Sequence, residues 1–202
     1  MNLVPTGGQM FAGLDDSTRS TRLVVIDPAA AGRRGTAGRL PVTFFRSVND
    51  LPPFYDYAMA GCTCQFFGGV PPYPFGFGLS YTMFGYRHLR TSADTVATDG
   101  TLTASVDVTN TGARAGDEVV QLYVRQLGSG VERLRKDLRG FRRATRQRGE
   151  TRTAIFPLAA WSLAYWGTGR HGRVIEAEPV LLEVGVSSAD MRLTRQIVVG
   201  GG

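Results

Sequence analysis

Closely spaced carboxylates are the side chains of this sequence best suited to acid–base chemistry, because hydrolysis of a glycosidic bond uses two carboxyl groups that flank it. Asp117 and Glu118 are adjacent, and Asp50 and Asp56 flank a short stretch that contains two prolines. Successive side chains of a strand face opposite ways, so we interpret Asp117 and Glu118 as a solvated strand entry. Asp50 and Asp56 are interpreted as turn caps. The sequence therefore predicts no catalytic residue among these acids.

Cysteine and histidine are the other residue types that could support a site. Cys62 and Cys64 are one residue apart, and His88 and His171 lie far from them along the chain. Two thiols without nearby histidines do not make a four-ligand set, and in a strand their spacing would not give disulfide geometry. No phosphate loop, zinc-protease or nucleophile-elbow motif is found. We expect neither a metal nor a cofactor.

The net charge of +6 is concentrated in residues 133–152, where nine basic residues stand against two acidic ones. Such a cluster binds phosphates in nucleic-acid-binding proteins. However, the segment contains no helix-turn-helix, zinc-finger or RNA-recognition pattern, and Phe141 is its only aromatic residue. A solvated strand and loop face is therefore favoured, and nucleic acid is not expected as a partner.

Residues 38–82 are rich in aromatic residues and prolines. The prolines remove backbone donors and oppose a long helix or a central strand, so we expect an ordered wrap over another surface. The aromatic side chains are best explained as filling an interface between domains. Exposed rings such as Tyr73, Phe77 or Trp166 provide an alternative, since they could stack on a polysaccharide.

From residue 83 onward, short segments of alternating polarity separated by turn residues predict a β-sandwich. Val120, Leu122 and Val124, for example, form the inward set of one strand. Seven strands are predicted, at 83–89, 102–108, 120–124, 138–143, 151–156, 180–186 and 192–199, and 23–26 is a further candidate. The 26 glycines and 10 prolines agree with a mainly β chain. No apolar run approaches the roughly 20 residues that span a bilayer, and residues 1–8 lack a secretory pattern. We expect a soluble protein without membrane contact.

Several motifs together resemble the C-terminal end of glycoside hydrolase family 3, the β-glucosidase and β-xylosidase family. They are Ala-Gly-Arg-Leu-Pro-Val-Thr-Phe (37–44), Asn-Asp-Leu-Pro-Pro-Phe (49–54), Tyr-Pro-Phe-Gly-Phe-Gly-Leu-Ser-Tyr-Thr (73–82), the stretch 108–124 with Asn-Thr-Gly and Gly-Asp-Glu-Val-Val-Gln-Leu-Tyr-Val, Leu-Arg-Gly-Phe (138–141) and Leu-Ala-Tyr-Trp (163–166). Their order and spacing, rather than any one of them, make the resemblance specific.

The resemblance implies a division of the chain. In that family a barrel comes first, an α/β sandwich domain second and a fibronectin type III-like domain last. Residues 38–82 would then be the C-terminal end of the α/β sandwich domain and a linker, and residues 83–200 the fibronectin type III-like domain. We interpret residues 1–37 as an unassigned, rearranged segment. The expected fold is mainly β, an immunoglobulin-like sandwich preceded by a remnant of an α/β sandwich domain.

The resemblance also implies a function. The family's nucleophile is an aspartate of the barrel, and its acid/base is a glutamate upstream of Gly-Arg-Leu-Pro, whereas the first glutamate here is Glu118. We therefore expect a structural, inactive fragment of a retaining β-glycosidase that cleaves terminal β-linked glucose or xylose. The β-glucoside or β-xyloside substrate would bind through the other domains. Cys62, Cys64 and Gln65 replace the Arg, Tyr and Arg usual in the family, which removes polar anchors. A stand-alone polysaccharide-binding module and a nucleic-acid binder are the alternatives.

Overall fold

The structure is a computed structural model that describes residues 10–12, 24–26, 38–53, 55 and 61–200. Strands β1 (Met10–Ala12) and β2 (Val24–Ile26) pair antiparallel. This confirms the strand predicted at 23–26. Its three consecutive β-branched residues favour an extended backbone. The other residues of segment 1–37, which was interpreted as rearranged, lie outside the described residues.

Residues 38–82, called the wrap below, form ordered but irregular structure in their described parts. They contain a 3-10 turn (Val48–Asp50) and one turn of helix, α1 (Thr63–Phe66). Two segments of the wrap run together, since Leu40 N–H donates to Phe77 O at 2.8 Å and Phe44 N–H to Tyr73 O at 2.9 Å. The prediction that prolines prevent a long helix or a central strand here agrees with these short elements.

The strands of the sandwich follow the wrap. They are β3 (Phe84–Thr91), β4 (Thr95–Val96), β5 (Thr101–Asn110), β6 (Gly116–Gln126), β7 (Asp137–Arg146), β8 (Thr151–Ala159), β9 (Tyr165–Gly167), β10 (Gly172–Val174), β11 (Glu178–Gly185) and β12 (Met191–Val199). All seven predicted strands are found. The short strands β4, β9 and β10 were not predicted, because two or three residues are too few to show a period of two.

Two sheets enclose the core. One has the strand order β4-β12-β11-β6-β7 and the other β3-β5-β8, while β9 and β10 form a separate hairpin. Inward side chains from both sheets, including Val106, Leu122, Phe156 and Leu182, are at most 1% exposed. The predicted mainly β sandwich is confirmed. In the described part of the chain, no helix is long and apolar enough to cross a membrane.

Strand β6 is buried on both faces, which alternation alone did not predict. Val120, Leu122 and Val124 face the core, whereas Gln121 and Tyr123, on the opposite face, are also buried. The wrap covers that face: Gln121 Nε2 donates to Gly76 O at 3.2 Å. The wrap is thus a third layer laid over the five-stranded sheet.

Asp107 of β5 links the three strands of the smaller sheet. Its Oδ1 accepts hydrogen bonds from Thr153 Oγ1 of β8 at 2.7 Å and from Arg90 NH2 of β3 at 2.8 Å. These bonds, Thr153 first and then Arg90, lower the pKa of Asp107 to about 2. The charged carboxylate therefore stabilises the fold above its unfolded pKa of about 3.9.

We expect the D107N variant to be less stable than the wild type at pH 7, by about 1 kcal/mol once solvent screening is allowed for. As the pH falls from 5 towards 2, the wild type loses this contribution and the two proteins converge. Urea midpoints measured across that range check the prediction. D99N, which changes an exposed aspartate in a turn, is the matched control; a constant gap between wild type and D107N would contradict the prediction.

Candidate functional site

A cleft of about 600 Å³ lies where the wrap meets the sandwich. The wrap contributes Arg39 and Phe77 to its lining, and the sandwich contributes Glu118 at the start of β6 and the pair Asp190 and Arg192 at the start of β12. Two carboxylates, Glu118 and Asp190, therefore line one cleft, which is the arrangement that acid–base chemistry requires.

Glu118 is committed to a structural contact within this cleft. Its Oε1 accepts hydrogen bonds from Arg39 NH2 and, at 2.7 Å, from Val119 N–H, and its side chain is only 4% exposed. Burial raises the pKa of Glu118, and the Arg39 guanidinium opposes that rise. Although Glu118 lines the cleft, its carboxylate is engaged by Arg39 and by the backbone N–H of Val119.

The prediction that Asp117 and Glu118 form a solvated strand entry is wrong for Glu118. Asp117 and Glu118 face opposite ways, as predicted for neighbours in a strand. Asp117 pairs with Arg143 at 2.5 Å and Thr145 at 2.6 Å, both on β7. No local pattern indicates that Arg39, 79 residues away, contacts Glu118. Arg192 likewise pairs with Asp190, at 2.7 Å, so both acids of the cleft are held by arginines.

Gln121 of β6 makes hydrogen bonds both to the wrap and to Val186, the residue that follows β11. Its Nε2 donates to Gly76 O and, at 2.6 Å, to Val186 O, while its Oε1 accepts from Tyr123 Oη at 2.6 Å. Gly76 has φ of +78°, and a Cβ placed there would lie 2.2 Å from Gln121 Oε1. Only glycine fits this close approach. The Gly-Phe-Gly segment is therefore a docking turn.

Cys64 lines a smaller cleft of about 140 Å³ together with Arg135 and Lys136. Cys62 occupies the N-cap position of α1 with an extended backbone, and Cys64 lies within the helix. Both cysteines are free. Burial raises the pKa of the Cys64 thiol, which disfavours a reactive thiolate. Gln65 accepts a backbone hydrogen bond at its O from Arg135 N–H at 2.8 Å.

The other acids and aromatic residues singled out in the sequence differ in their surroundings. Asp50 caps its turn as predicted, accepting from Arg46 N–H at 3.0 Å, and Asp56 lies outside the described residues. Tyr73 packs on Phe77 with ring centroids 5.3 Å apart, as expected of aromatics that fill an interface. Trp166, in contrast, is exposed.

The basic segment 133–152 is divided by the fold. Arg139, Arg143 and Arg152 form ion pairs with Asp137, Asp117 and Glu150, respectively. Arg146 is almost fully buried, so the interpretation of this segment as a solvated face is wrong at that position. That this segment does not bind nucleic acid stays a prediction. Within the described ranges, no group of three His, Cys, Asp or Glu side chains could hold a metal ion.

An outward-facing aromatic surface was only partly anticipated. Trp161 is 61% exposed and Trp166 is 63% exposed, and the Arg173 guanidinium carbon lies 5.9 Å from the centre of the Trp161 ring. In the polysaccharide-binding alternative, Trp166 was expected from the sequence to be exposed, whereas Trp161 and Arg173 were not singled out. The signal was weak, because Trp161 follows a short apolar run and reads as a core residue.

Two sheets, antiparallel except for the parallel β4–β12 pair, pack around a common core and define an immunoglobulin-like sandwich, and the wrap covers one sheet. The fibronectin type III-like domain family matches residues 118–188. The periplasmic beta-glucosidase of Salmonella typhimurium is 36% identical over 175 residues, 80% of this chain and 22% of that protein. The beta-xylosidase of Formosa agariphila is 40% identical over 156 residues, 75% of this chain and 21% of that protein.

A solved structure, the GH3 beta-glucosidase of Bifidobacterium adolescentis, matches with a TM-score of 0.73 and 27% identity, covering 83% of this chain and 26% of that one. The chain thus spans about a fifth of the length of the curated relatives it matches. The sandwich is a fibronectin type III-like domain. The chain corresponds to the C-terminal part of a family 3 glycoside hydrolase, as the sequence motifs indicated.

Proposed function

We propose that this chain is the structural C-terminal part of a retaining β-glycosidase that cleaves terminal β-linked glucose or xylose, and that it contributes no catalytic carboxyl group. The parent activity is taken from relatives named beta-glucosidase and beta-xylosidase. The module would dock on catalytic domains supplied by the rest of such an enzyme, and the sugar would bind there.

The engagement of its carboxylates supports the absence of catalysis. A retaining mechanism needs two carboxyl groups about 5–5.5 Å apart, one of which is free to attack the sugar. Eight of the twelve acids of the described sandwich are instead held by cations, and Asp99 and Glu132 are exposed without such a partner. The eight are Asp94, Asp107, Asp117, Glu118, Asp137, Glu150, Glu183 and Asp190. Glu176 and Glu178 accept backbone hydrogen bonds near β11.

The observation that carries the docking role is the apolar rim of the large cleft. Leu79 and Met83 line the cleft and are 58% and 69% exposed. Other exposed hydrophobic residues of the wrap region are Val48, Leu51, Tyr55, Val70 and Tyr81. Leu79 and Met83 share one cleft, and an exposed apolar patch is typical of an interaction site. An interface that catalytic domains would cover accounts for it.

The absence of catalysis is tested by incubating the purified chain with aryl β-glucosides and aryl β-xylosides. We expect release of the aryl group at the rate of the buffer blank. D190N is the informative variant, because Asp190 lines the cleft and is half-exposed. Hydrolysis that D190N abolishes, in a protein that still melts cooperatively, would place catalysis in this chain and overturn the proposal.

The docking role is tested separately with a hydrophobic fluorescent dye. The double variant L79S/M83S should bind clearly less dye than the wild type. V131S/I155S, which changes two hydrophobic residues exposed outside the wrap, should bind nearly as much as the wild type. Equal dye binding by wild type and L79S/M83S would show that the rim is not an accessible apolar surface.

A further inference from the structure

The two tryptophans of the protein share one outward surface with an arginine. In the β9–β10 hairpin, Trp166 stands directly opposite Arg173, and cross-strand neighbours project on the same face. Arg173 also reaches towards Trp161, whose ring centre is 5.9 Å from the guanidinium carbon. The guanidinium thus lies over the Trp161 ring, and Arg173 is the cross-strand neighbour of Trp166. We call Trp161, Trp166 and Arg173 the indole surface.

The backbone beneath the indole surface is firmly anchored. Trp161 lies in a 3-10 turn between Ala160 and Leu163, both of which are buried in the core. Leu163 O accepts hydrogen bonds from Arg133 NH2 at 2.5 Å and from Gln126 Nε2 at 3.1 Å. A recognition surface on a fixed backbone loses little conformational entropy when a ligand binds.

The indole surface carries a positive charge that is open to a ligand. Across the described residues, no carboxylate lies within ion-pair distance of Arg173 or of Arg170 at the hairpin turn. Glu176, nearby in sequence, is used instead by Ser129 Oγ at 2.5 Å and Gly130 N–H at 3.0 Å. Those bonds, Ser129 first, lower the pKa of Glu176.

We propose that the indole surface binds a polysaccharide that carries carboxylate groups. The flat faces of Trp161 and Trp166 suit the apolar faces of pyranose rings. The Arg173 guanidinium, which presents paired N–H donors, suits a carboxylate. The rim of the hairpin is polar, formed by exposed Thr168, Arg170 and His171. A protein hot spot is normally ringed by contacts that exclude water, so a hydrated glycan fits this rim better.

This binding goes beyond the proposed structural role and uses different residues from the docking rim. Only the choice of a xylan backbone as the probe rests on the proposed function. The two hypotheses therefore fail independently: serine substitutions at Leu79 and Met83 test docking, whereas substitutions at Trp161, Trp166 and Arg173 test glycan binding.

Intrinsic fluorescence gives a direct assay, because the only two tryptophans of the chain both lie in the indole surface. The full chain is titrated with glucuronoxylan, with the same xylan after reduction of its carboxyl groups, and with glucuronic acid as a free small acid. We expect saturable quenching by glucuronoxylan, with about tenfold weaker binding of the reduced xylan. Added salt should weaken the glucuronoxylan interaction only.

Variants are assayed by affinity electrophoresis in gels containing each xylan, so that loss of an indole does not remove the signal. W161A and W166A should each weaken binding of both xylans about tenfold. R173A should abolish the preference for the acidic xylan, and R173K should retain part of it. F141A, which truncates an exposed aromatic on β7, is the control and should bind as the wild type does.

Several outcomes would overturn the proposal. These are unchanged tryptophan emission and gel mobility with both xylans, equal losses in F141A and W166A, or a preference for acidic xylan that survives in R173A. Quenching by free glucuronic acid as strong as that by the polysaccharide would also overturn it, since it would show an anion site without indole stacking. Thermal melts confirm that each variant is folded.

Discussion

Replacement of Glu118 by alanine is expected to destabilise the protein by about 3–5 kcal/mol. The substitution removes one partner of a buried ion pair and leaves Arg39, whose side chain is 13% exposed, without its carboxylate. Arg39 would keep only its hydrogen bond from NH1 to Gly78 O at 3.1 Å. Because the pair joins the wrap to β6, the wrap should also become more susceptible to proteolysis.

Two further variants separate the charge from the contact. Since burial raises the pKa of Glu118 despite the Arg39 guanidinium, desolvation of the carboxylate outweighs its attraction to the arginine. E118Q, which keeps the shape and removes the charge, should therefore cost clearly less than E118A. R39M/E118L, which replaces both partners by apolar side chains, should cost less than either truncation alone.

The measurement is urea unfolding followed by circular dichroism at pH 7. D117A is the matched control, because Asp117 is adjacent but pairs with an arginine that is 58% exposed. Its loss should cost no more than about 1 kcal/mol. Comparable losses in D117A and E118A, or a double variant as unstable as E118A, would contradict the assignment of Glu118 as the buried link.

The strands of the sandwich could be predicted because their signal is local. In β5, residues Leu102, Ala104, Val106 and Val108 are buried in alternation with more exposed neighbours, and a period of two is visible within a few residues. In β6 the same signal gave the strand but not its surroundings. Gln121 and Tyr123 look like solvent-facing residues, and only the wrap, which is distant in sequence, buries them.

The site could be predicted less well, since its contacts join residues far apart in the chain. Arg39 and Glu118 are 79 residues apart, and nothing in either local sequence selects one for the other. Trp161 and Arg173 meet only because the 3-10 turn and the β9–β10 hairpin fold together, and those elements are too short for a periodic signal. The motifs revealed the family, and the structure revealed which side chains remain free to bind.

Replacement of Arg146 by alanine is the second change with a large expected effect, and R146A should lower the free energy of unfolding by about 3–5 kcal/mol. Arg146 is 2% exposed although it is charged. Its Nε donates to Val108 O at 3.0 Å and its NH1 to Ala144 O at 3.1 Å. The alanine variant would leave a cavity and two carbonyl groups without their donor. The arginine thus ties the end of β7 to β5 of the opposite sheet.

Burial lowers the pKa of Arg146, which means that burying its charge is unfavourable. The hydrogen bonds to the two carbonyl groups offset this penalty. R146M retains the aliphatic length without the buried charge, and we expect it to recover roughly half of the lost stability. R148A, two residues away in the exposed hairpin turn, should lie within about 0.5 kcal/mol of the wild type in urea unfolding. A loss in R148A equal to that in R146A would mean that the density of positive charge in this segment, rather than the buried hydrogen bonds, sets stability.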